Sequence, residues 1–228
     1  MTTAFKPQDL ARYIDHTLLK PEATLEQFET LCREARDHQF YGVCVPSRVV
    51  KHAKKWLVST QVKVVSVVGF PLGHQNTKVK GFETSLALSD GADEIDMVVS
   101  LGGLKEKNWD FVQEDIACVV QASQGRPVKV ILETHLLNQD EKIKAIELSI
   151  QAGAHFVKTS TGFTGGGATL EDIALMKKTA RGRIHIKASG GIKTFDQAIA
   201  MIQEGATRIG TSSGVLLVQN QQAPSGGY

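Results

Sequence analysis

The regular alternation of short apolar runs with helix-period segments constrains the fold of this chain more than any single motif. Several runs are nearly continuous Val and Ile, as at residues 64–68, and strands that are apolar on both faces are typical of a parallel sheet buried between helices. We predict eight strands, at residues 13–18, 41–45, 62–69, 94–99, 128–133, 156–159, 184–188 and 208–211. Residues 18–20 fit a loop as well as they fit the end of the first strand.

Helices are predicted between the strands, and four of them begin with a capping box or a near relative of one. These four starts are Thr24 with Gln27, Asn138 with Glu141, Thr169 with Asp172, and Thr194 with Gln197. Eight strands with helices between them predict an α/β fold, a closed (β/α)8 TIM barrel. An open doubly wound sheet is the alternative.

A weak internal repeat supports the barrel. Residues 91–96, 153–158 and 205–210 each begin with Gly-Ala, in which the glycine closes a helix, and each has an apolar residue in fifth place. The sixth residue is Asp96, Lys158 or Gly210, and in a barrel all three positions open onto the face where the chemistry of such folds lies. Gly-Ala is also a common joint between helix and strand, which explains the glycines but not the charged residues that follow them.

The composition fits one globular domain, since 42% of the 228 residues are hydrophobic and 22% are charged. We expect a single barrel domain over residues 1–228 with a short flexible C-terminal tail at about 221–228, because no linker-like segment divides the chain. Two small domains are the alternative. A formal net charge of +2, spread along the chain, gives no reason to expect nucleic acid or a membrane surface as a partner.

Cysteine usage and the N-terminus indicate the compartment. Cys32, Cys44 and Cys118 are odd in number and lack CxxC spacing, so a disulfide framework is not expected and a reducing cytoplasm fits better. The first residues lack the apolar segment of a signal peptide, and no apolar run is long enough to cross a bilayer. We therefore expect a cytoplasmic protein.

Two lysines close neighbouring predicted strands. Lys158 ends one apolar run before a glycine-rich loop, and Lys187 ends the next. Adjacent strands are about 4.8 Å apart, so the two ammonium groups would be close and the neutral form of one of them would be favoured. A neutral amine is a nucleophile. The alternative is a pair of independent lysines that reach solvent at the surface.

Two carboxylates are candidates for proton transfer. Asp96 lies within an apolar strand and needs a partner there, for which a lysine is the obvious choice, and together they would form an acid–base relay. Asp15 lies in the first predicted strand and is a candidate for a second carboxylate that points the same way as Asp96. A loop carboxylate that caps a turn is an equally good interpretation of Asp15.

Three predicted strand ends are rich in glycine, at residues 162–167, 190–191 and 210–214. The last two follow strands seven and eight, where barrels often bind phosphate through backbone N–H groups, and Lys193 adds a positive charge there. Residues 162–169 superficially resemble a P-loop, but Ala168 stands where the lysine is required, which excludes nucleoside triphosphate binding. No metal site is predicted, because the seven histidines are scattered and no HExxH motif is present.

The last residue, Tyr228, follows a polar, glycine-rich segment. A disordered end in which the tyrosine has no role is the simple interpretation. A flexible tether can also bring a phenol over a barrel mouth, where its O–H exchanges protons with a reacting carbon. Both interpretations of Tyr228 remain open.

Six motifs along nearly the whole chain resemble those of the deoxyribose-phosphate aldolases, which are class I, Schiff-base-forming aldolases. They lie at residues 15–21 (DHTLLKP), 43–46 (VCVP), 69–73 (GFPLG), 91–96 (GADEID), 157–162 (VKTSTG) and 187–191 (KASGG). The resemblance implies a (β/α)8 barrel without metal or organic cofactor. It also implies interconversion of 2-deoxy-D-ribose 5-phosphate with acetaldehyde and D-glyceraldehyde 3-phosphate.

The resemblance also implies roles for individual residues. Lys158 corresponds to the Schiff-base lysine, Lys187 to the lysine that shifts its protonation, and Asp96 to the carboxylate of the proton relay. Some members of the family end in a tyrosine, like Tyr228, that exchanges protons. Some carry a lysine where this chain has Phe163, so phosphate is expected to meet one charge fewer here. Asp15 is a further catalytic candidate. The substrate-binding candidates are Cys44, Thr161, Gly162, Gly190, Gly191, Lys193, Gly210, Ser212 and Ser213.

Two other functions remain as alternatives. One is a different phosphosugar lyase or isomerase that uses the same paired lysines. The other is a sugar-phosphate-binding barrel without turnover, although pure binding needs no nucleophilic amine. As partners we expect a small phosphosugar, no nucleic acid and no membrane, and we expect a homo-oligomer, either a dimer or a tetramer.

Overall fold

The computed structural model describes residues 5–221, and these residues contain a closed barrel of eight parallel strands. Each strand pairs with the next, and β8 pairs with β1 to close the sheet. The strands are β1 Ile14–Thr17, β2 Gly42–Val45, β3 Lys63–Val68, β4 Glu94–Val98, β5 Val128–Ile131, β6 Phe156–Lys158, β7 His185–Ser189 and β8 Arg208–Thr211. The predicted (β/α)8 barrel is therefore confirmed, and the open doubly wound sheet is wrong because both edge strands are paired.

Helices follow the strands around the outside of the barrel. They are α1 Leu25–Asp37, α2 Val50–Trp56, α3 Thr77–Ser89, α4 Leu101–Lys105, α5 Trp109–Ala122, α6 Gln139–Gln151, α7 Leu170–Ala180, α8 Phe195–Glu204 and α9 Gly214–Val218. Complete capping boxes start α1, α6 and α8 as predicted. At α7 the side chain of Thr169 accepts a hydrogen bond from the Asp172 N–H, so this cap is the predicted near relative of a box.

All predicted strand ends lie within one residue of the structure except the end of β5. Strand β1 ends at Thr17, so residues 18–20 form a loop, which was one of the two expectations. Strand β5 ends at Ile131, two residues before the predicted end, because Glu133 has left-handed backbone angles (φ 56°, ψ 59°) that no strand continues through.

The main apolar core lies between the barrel and its helices, and it is formed by outward-facing strand residues such as Ile95 and Met97. Successive strand residues point to opposite faces, so Glu94 and Asp96 point into the barrel. A small apolar cluster around Cys44 occupies the β2–β3 side of the interior. Strands β4 to β8 and β1 line the remaining interior with buried charged side chains, so this barrel contains an ionic core within an apolar shell.

Candidate active site

Four residues that the sequence singled out meet inside the barrel. Lys158 and Lys187 are register partners on β6 and β7, and each Nζ donates a hydrogen bond at 2.9 Å to the same atom, Oδ2 of Asp96. Lys187 Nζ also donates to Oδ2 of Asp15. The two lysines are 3% and 0% exposed, so the alternative of independent surface lysines is wrong. Asp15 is fully buried on β1, so the alternative of a loop carboxylate is also wrong.

The charges in this cluster stabilise one another. Burial alone would raise the pKa of Asp15, but the positive charges of Lys187 and Arg208 outweigh it and lower this pKa to about 2. Burial is likewise outweighed at Asp96, where neighbouring lysines hold the pKa well below its usual range. Burial disfavours the charged form of Lys187, yet Asp15 and Asp96 raise the pKa of this amine above its usual range. Both carboxylates and Lys187 are therefore charged at neutral pH.

The predicted pair of close lysines is accompanied by more carboxylate contacts than the sequence indicated. Asp96 accepts hydrogen bonds from both Lys158 and Lys187, and Lys187 contacts Asp15 as well. The positive charge of Lys187 is therefore compensated locally by two carboxylates. The sequence could not reveal this compensation, because the carboxylates come from β1 and β4, which are distant in the chain.

A second layer of charged residues lies beneath these four, and the sequence analysis missed it. Lys129 Nζ lies 2.7 Å from Asp96 Oδ1 and 2.6 Å from Glu94 Oε2. Arg208 Nη1 donates to Asp15 Oδ1 at 3.0 Å and to Glu94 Oε2 at 3.2 Å. A signal was available, because each of these charged residues alternates with apolar neighbours in its strand and so shares the inner face.

Tyr41 completes this layer at the start of β2. Its hydroxyl donates to Glu94 Oε1 at 2.7 Å, and the Arg208 guanidinium lies 3.3 Å from the centre of its ring. Burial, together with the hydrogen bond to Glu94, raises the pKa of Tyr41, so its phenol is neutral at pH 7. Tyr41 therefore orients the layer without adding a charge.

A cavity of about 190 Å³ opens above the cluster at the carboxyl ends of the strands, and Lys158 lies in its wall. Its lining includes eight predicted substrate-binding residues, namely Thr161, Gly162, Gly190, Gly191, Lys193, Gly210, Ser212 and Ser213. Thr17, Leu19 and Ser189 also line it and were not predicted. Its glycines, its hydroxyl groups and Lys193 are suited to a small phosphorylated ligand.

One predicted substrate-binding residue, Cys44, is not found in this wall. Cys44 is fully buried beside Leu19 in the inner apolar cluster and does not line the cavity. Burial, with the nearby charge of Asp96, raises the pKa of its thiol to about 11. Tyr228 lies outside the described residues 5–221, so its place relative to the cavity stays a prediction.

The glycine-rich loops after β6 and β7 approach each other closely. Ala168 N donates to Gly190 O at 3.0 Å, and a Cβ on Gly167 would lie only 2.7 Å from that same oxygen. Gly210 has a different reason to be glycine, since a Cβ there would lie 3.0 Å from Cε of Lys187. Gly167 therefore allows the two loops to pack closely, and Gly210 leaves space for the side chain of Lys187.

Glu133 is a further residue that the sequence analysis did not single out. Its buried carboxylate accepts a hydrogen bond from Thr161 N at 3.2 Å and another from Thr161 Oγ1. Nδ1 of His135 lies 3.6 Å from the same carboxylate, while its Nε2 lies 3.0 Å from Thr164 O. Glu133 and His135 thus attach the β6–α7 loop, which lines the cavity, to the end of β5.

Phe163 lies where some members of the resembled family carry a lysine. Its ring packs edge-on against Phe70, with 5.1 Å between the ring centres, next to the inner apolar cluster. This side of the cavity mouth is therefore apolar, and Lys193 is the basic residue that lines the cavity on the side of the β7–α8 loop.

The described part of the chain contains neither a metal-binding cluster nor a membrane-spanning helix. Among residues 5–221, no group of three or more His, Cys, Asp or Glu side chains is arranged to hold a metal ion. Within the same range no helix is both long and apolar enough to cross a membrane.

The fold and the site together define a class of protein: (β/α)8-barrel enzymes with a buried lysine–carboxylate cluster at the base of the carboxyl-end cavity. Comparison with known families then gives the particular family. The DeoC/LacD family of aldolases matches residues 10–220. The chain belongs to this family.

Individual relatives agree with the family match. The deoxyribose-phosphate aldolase of Bdellovibrio bacteriovorus is 54% identical over 219 residues, which cover 96% of this chain and 99% of that protein. A crystal structure of a putative deoxyribose-phosphate aldolase from Coccidioides immitis is 41% identical, has a TM-score of 0.93, and covers 95% of this chain and 87% of its own. The deoxyribose phosphate aldolase of Aeropyrum pernix, described as a unique tetramer, is 35% identical with a TM-score of 0.85 and covers 94% and 91%.

These findings confirm three predictions made from the sequence: the family, the barrel fold and the lyase class of the enzyme.

Proposed function

We propose that this aldolase reversibly cleaves 2-deoxy-D-ribose 5-phosphate to acetaldehyde and D-glyceraldehyde 3-phosphate through a Schiff base on Lys158. One observation carries the proposal: the Lys158 amine lines the cavity and also lies 2.9 Å from the buried carboxylate of Asp96. The activity named for the relative at 54% identity supports the same substrate. A nucleophilic amine also argues against a barrel that only binds sugar phosphates.

In the proposed reaction the neutral amine of Lys158 attacks the substrate aldehyde carbon, and water leaves to form an iminium. The iminium accepts the electron pair of the breaking C2–C3 bond as the hydroxyl on C3 loses its proton. D-Glyceraldehyde 3-phosphate then departs and an enamine remains on Lys158. Protonation of the enamine carbon, followed by hydrolysis, releases acetaldehyde and restores the amine.

Asp96 and Lys187 are the groups proposed to move these protons, through water, because both lie beside the Lys158 amine. Asp15 is the second carboxylate that contacts Lys187, and it holds this side chain in place. Tyr228 remains a proposed proton donor to the enamine carbon, carried by the C-terminal tail proposed for about residues 221–228. Its role is tested by deuterium exchange into the acetaldehyde methyl group, which should slow in Tyr228→Phe while Schiff-base trapping persists.

The phosphate is proposed to lie at the far end of the cavity, against the glycine-rich loops after β6, β7 and β8. Gly190, Gly191, Ser212 and Ser213 line that end, and Lys193 supplies positive charge. Binding the remote phosphate fixes the orientation of the aldehyde relative to Lys158 and so lowers the entropic cost of the reaction. Cys44 packs in the inner apolar cluster with Leu19, which lines the cavity. Its proposed effect on substrate binding is therefore indirect.

We further propose that the chain forms a homo-oligomer through the outer face of α3. Val79, Phe82 and Leu86 are 53%, 71% and 48% exposed, and their spacing places them along one side of the helix. An apolar stripe of this kind is typical of a surface covered by another subunit.

The cysteines bear on the compartment in which the protein acts. The free state of Cys32, Cys44 and Cys118 supports action in the cytoplasm.

The decisive experiment is reductive trapping. Incubation with acetaldehyde and borohydride should add one ethyl group to the chain, and peptide mapping should place it on Lys158. The label should disappear in Lys158→Ala and persist in Lys178→Ala, which removes an exposed lysine of α7 as a matched control. A label that survives Lys158→Ala would falsify the assignment.

A second measurement separates the remaining alternatives. Release of acetaldehyde from deoxyribose 5-phosphate is expected for the aldolase. An isomerase that works through an enediol would leave no adduct on lysine, and a binding protein would release no aldehyde.

A further inference from the structure

We propose that Glu94, Lys129 and Arg208, which lie beneath the reacting amine, are positioning residues that set the charge balance around Lys158, since the ionic core of the barrel has one more cationic side chain than carboxylates. The inference rests on the Schiff-base function proposed for Lys158. It assigns a role to the layer beneath the reacting amine, which does not touch the cavity.

The ionic core can be defined by its ion pairs. Within residues 5–221 it joins the cationic side chains of Lys129, Lys158, Lys187 and Arg208 to the carboxylates of Asp15, Glu94 and Asp96. Each of these seven residues is at most 5% exposed, so water screens their charges little. An uncompensated charge in such a site is costly, and the group that loses a proton most easily becomes neutral.

Lys158 is the cation held by the fewest carboxylates. Lys129 contacts Glu94 and Asp96, Arg208 contacts Asp15 and Glu94, and Lys187 contacts Asp15 and Asp96. By contrast, the ion pair found for Lys158 in the described chain is with Asp96 Oδ2, the oxygen that also accepts from Lys187. Removing the proton from Lys158 therefore sacrifices the least attraction and makes the core neutral.

The other titratable groups near the core do not change this balance at neutral pH. Burial raises the pKa of Cys44 to about 11 and raises that of Tyr41, so both are uncharged. The inner residues of β3 are Val65 and Val67, which carry no charge. Two further charged side chains, of opposite sign, lie outside the ion pairs of the core in the described residues: Glu133, whose carboxylate accepts hydrogen bonds from Thr161, and half-buried Lys193 at the cavity wall.

The proposal predicts opposite effects from two substitutions in the lower layer. Lys129→Met removes the excess positive charge, so Lys158 should keep its proton to higher pH. Glu94→Gln removes a carboxylate and increases the excess, so Lys158 should lose its proton at lower pH. Neither residue lines the cavity, so both act through the core and not through substrate contact.

The test follows the amount of acetaldehyde trapped on Lys158 by borohydride as the pH is varied. We expect the midpoint to move by about one pH unit toward alkaline pH in Lys129→Met, and by about one unit toward acid pH in Glu94→Gln. The double variant Lys129→Met/Glu94→Gln restores the excess and should bring the midpoint back toward that of the unsubstituted chain. Tyr41→Phe is the matched control, since it removes a hydrogen bond to Glu94 without changing any charge.

Loss of structure would give a different pattern. A damaged core would move both single variants in the same direction and would not be rescued in the double variant, and circular dichroism reports the folded state directly. Midpoints that do not move in folded variants, or that move in the same direction, would overturn the proposal. Failure to trap any adduct on Lys158 in the unsubstituted chain would instead overturn the Schiff-base function.

A second substitution decides the matter if Lys129→Met does not fold. Lys129→Gln removes the same charge but keeps a hydrogen-bond donor for Asp96 and Glu94, so the trapping midpoint should again move toward alkaline pH. An unmoved midpoint in folded Lys129→Gln would overturn the proposal.

Discussion

Glu133 illustrates how one residue positions the substrate loop from a distance. Its left-handed backbone turns the chain at the end of β5, and its buried carboxylate accepts hydrogen bonds from the backbone and the hydroxyl of Thr161. Thr161 and Gly162 then line the cavity beside Lys158. The bonds of Glu133 therefore link the end of one strand to the wall of the site on the next.

Removing this carboxylate should weaken binding of the phosphosugar. We expect Glu133→Ala to raise the KM for deoxyribose 5-phosphate about tenfold, because hydrogen bonds to a charged group are lost and the loop is released. Glu133→Gln keeps one acceptor and should restore part of the affinity. Steady-state kinetics measure both values.

Trapping of acetaldehyde supplies the control, since this aldehyde has no phosphate to be held by the loops. It should change much less than the KM of the phosphosugar in Glu133→Ala. An equal loss with both substrates would mean that Glu133 supports Lys158 itself and not the loop.

At the scale of secondary structure, α3 carries apolar side chains on its outer face as well as on its inner face. Its inner face packs Gly81, Thr84 and Ala87 against the rest of the barrel, while its outer face exposes Val79 and Phe82. Most barrel helices show one apolar face only. An outer apolar face is therefore the feature of α3 that a second subunit would explain.

Introducing a charge into this face should dissociate the proposed oligomer. We expect Phe82→Glu to weaken self-association by at least about tenfold, since burying a phenyl ring contributes roughly 1.5–3 kcal/mol and a buried unpaired carboxylate is unfavourable. Light scattering coupled to size-exclusion chromatography measures the mass. Gln151→Glu, at an exposed position of α6, adds the same charge as a control and should leave the mass unchanged.

A chain that is monomeric before any substitution would remove the basis for this interface. So would a Phe82→Glu variant that keeps the mass of the unsubstituted protein.

At the scale of the whole molecule, the ionic core makes the free energy of unfolding depend on pH in the acid range. The pKa of Asp15 is lowered from its usual value to about 2, and that of Asp96 is lowered as well, because the cations of the core outweigh the effect of burial. A carboxylate whose pKa is lower in the folded state stabilises the fold above the unfolded pKa of about 4. This contribution is lost as the pH falls from about 4 toward 2.

We therefore expect the free energy of unfolding to fall steeply below about pH 4, with Asp15 contributing about 2 kcal/mol of the loss. Urea unfolding followed by circular dichroism at a series of pH values measures it. Asp15→Asn should be less stable at pH 7 by about 3–5 kcal/mol, since Lys187 and Arg208 lose a partner, and its pH dependence between 4 and 2 should be shallower. An unchanged slope in Asp15→Asn would show that other carboxylates carry the acid sensitivity.

Much of the fold was predictable because it depends on local patterns. Apolar periodicity and cap residues act over a few positions, so the eight strands and the starts of α1, α6, α7 and α8 followed from the sequence. Closure of the barrel was predictable from the number and order of these elements. The exact end of β5 was not, since the turn at Glu133 depends on its hydrogen bonds to another strand end.

The sequence by itself determined that Lys158, Lys187 and Asp96 each lie on a strand of the barrel, and hence that they could meet inside it. Only the tertiary structure decided how their charges are balanced. Lys187 contacts Asp15 across 172 residues of chain, and Arg208 contacts the same carboxylate across 193. Coulomb interactions depend on distance in space, and closing the sheet between β8 and β1 is what brings these groups together.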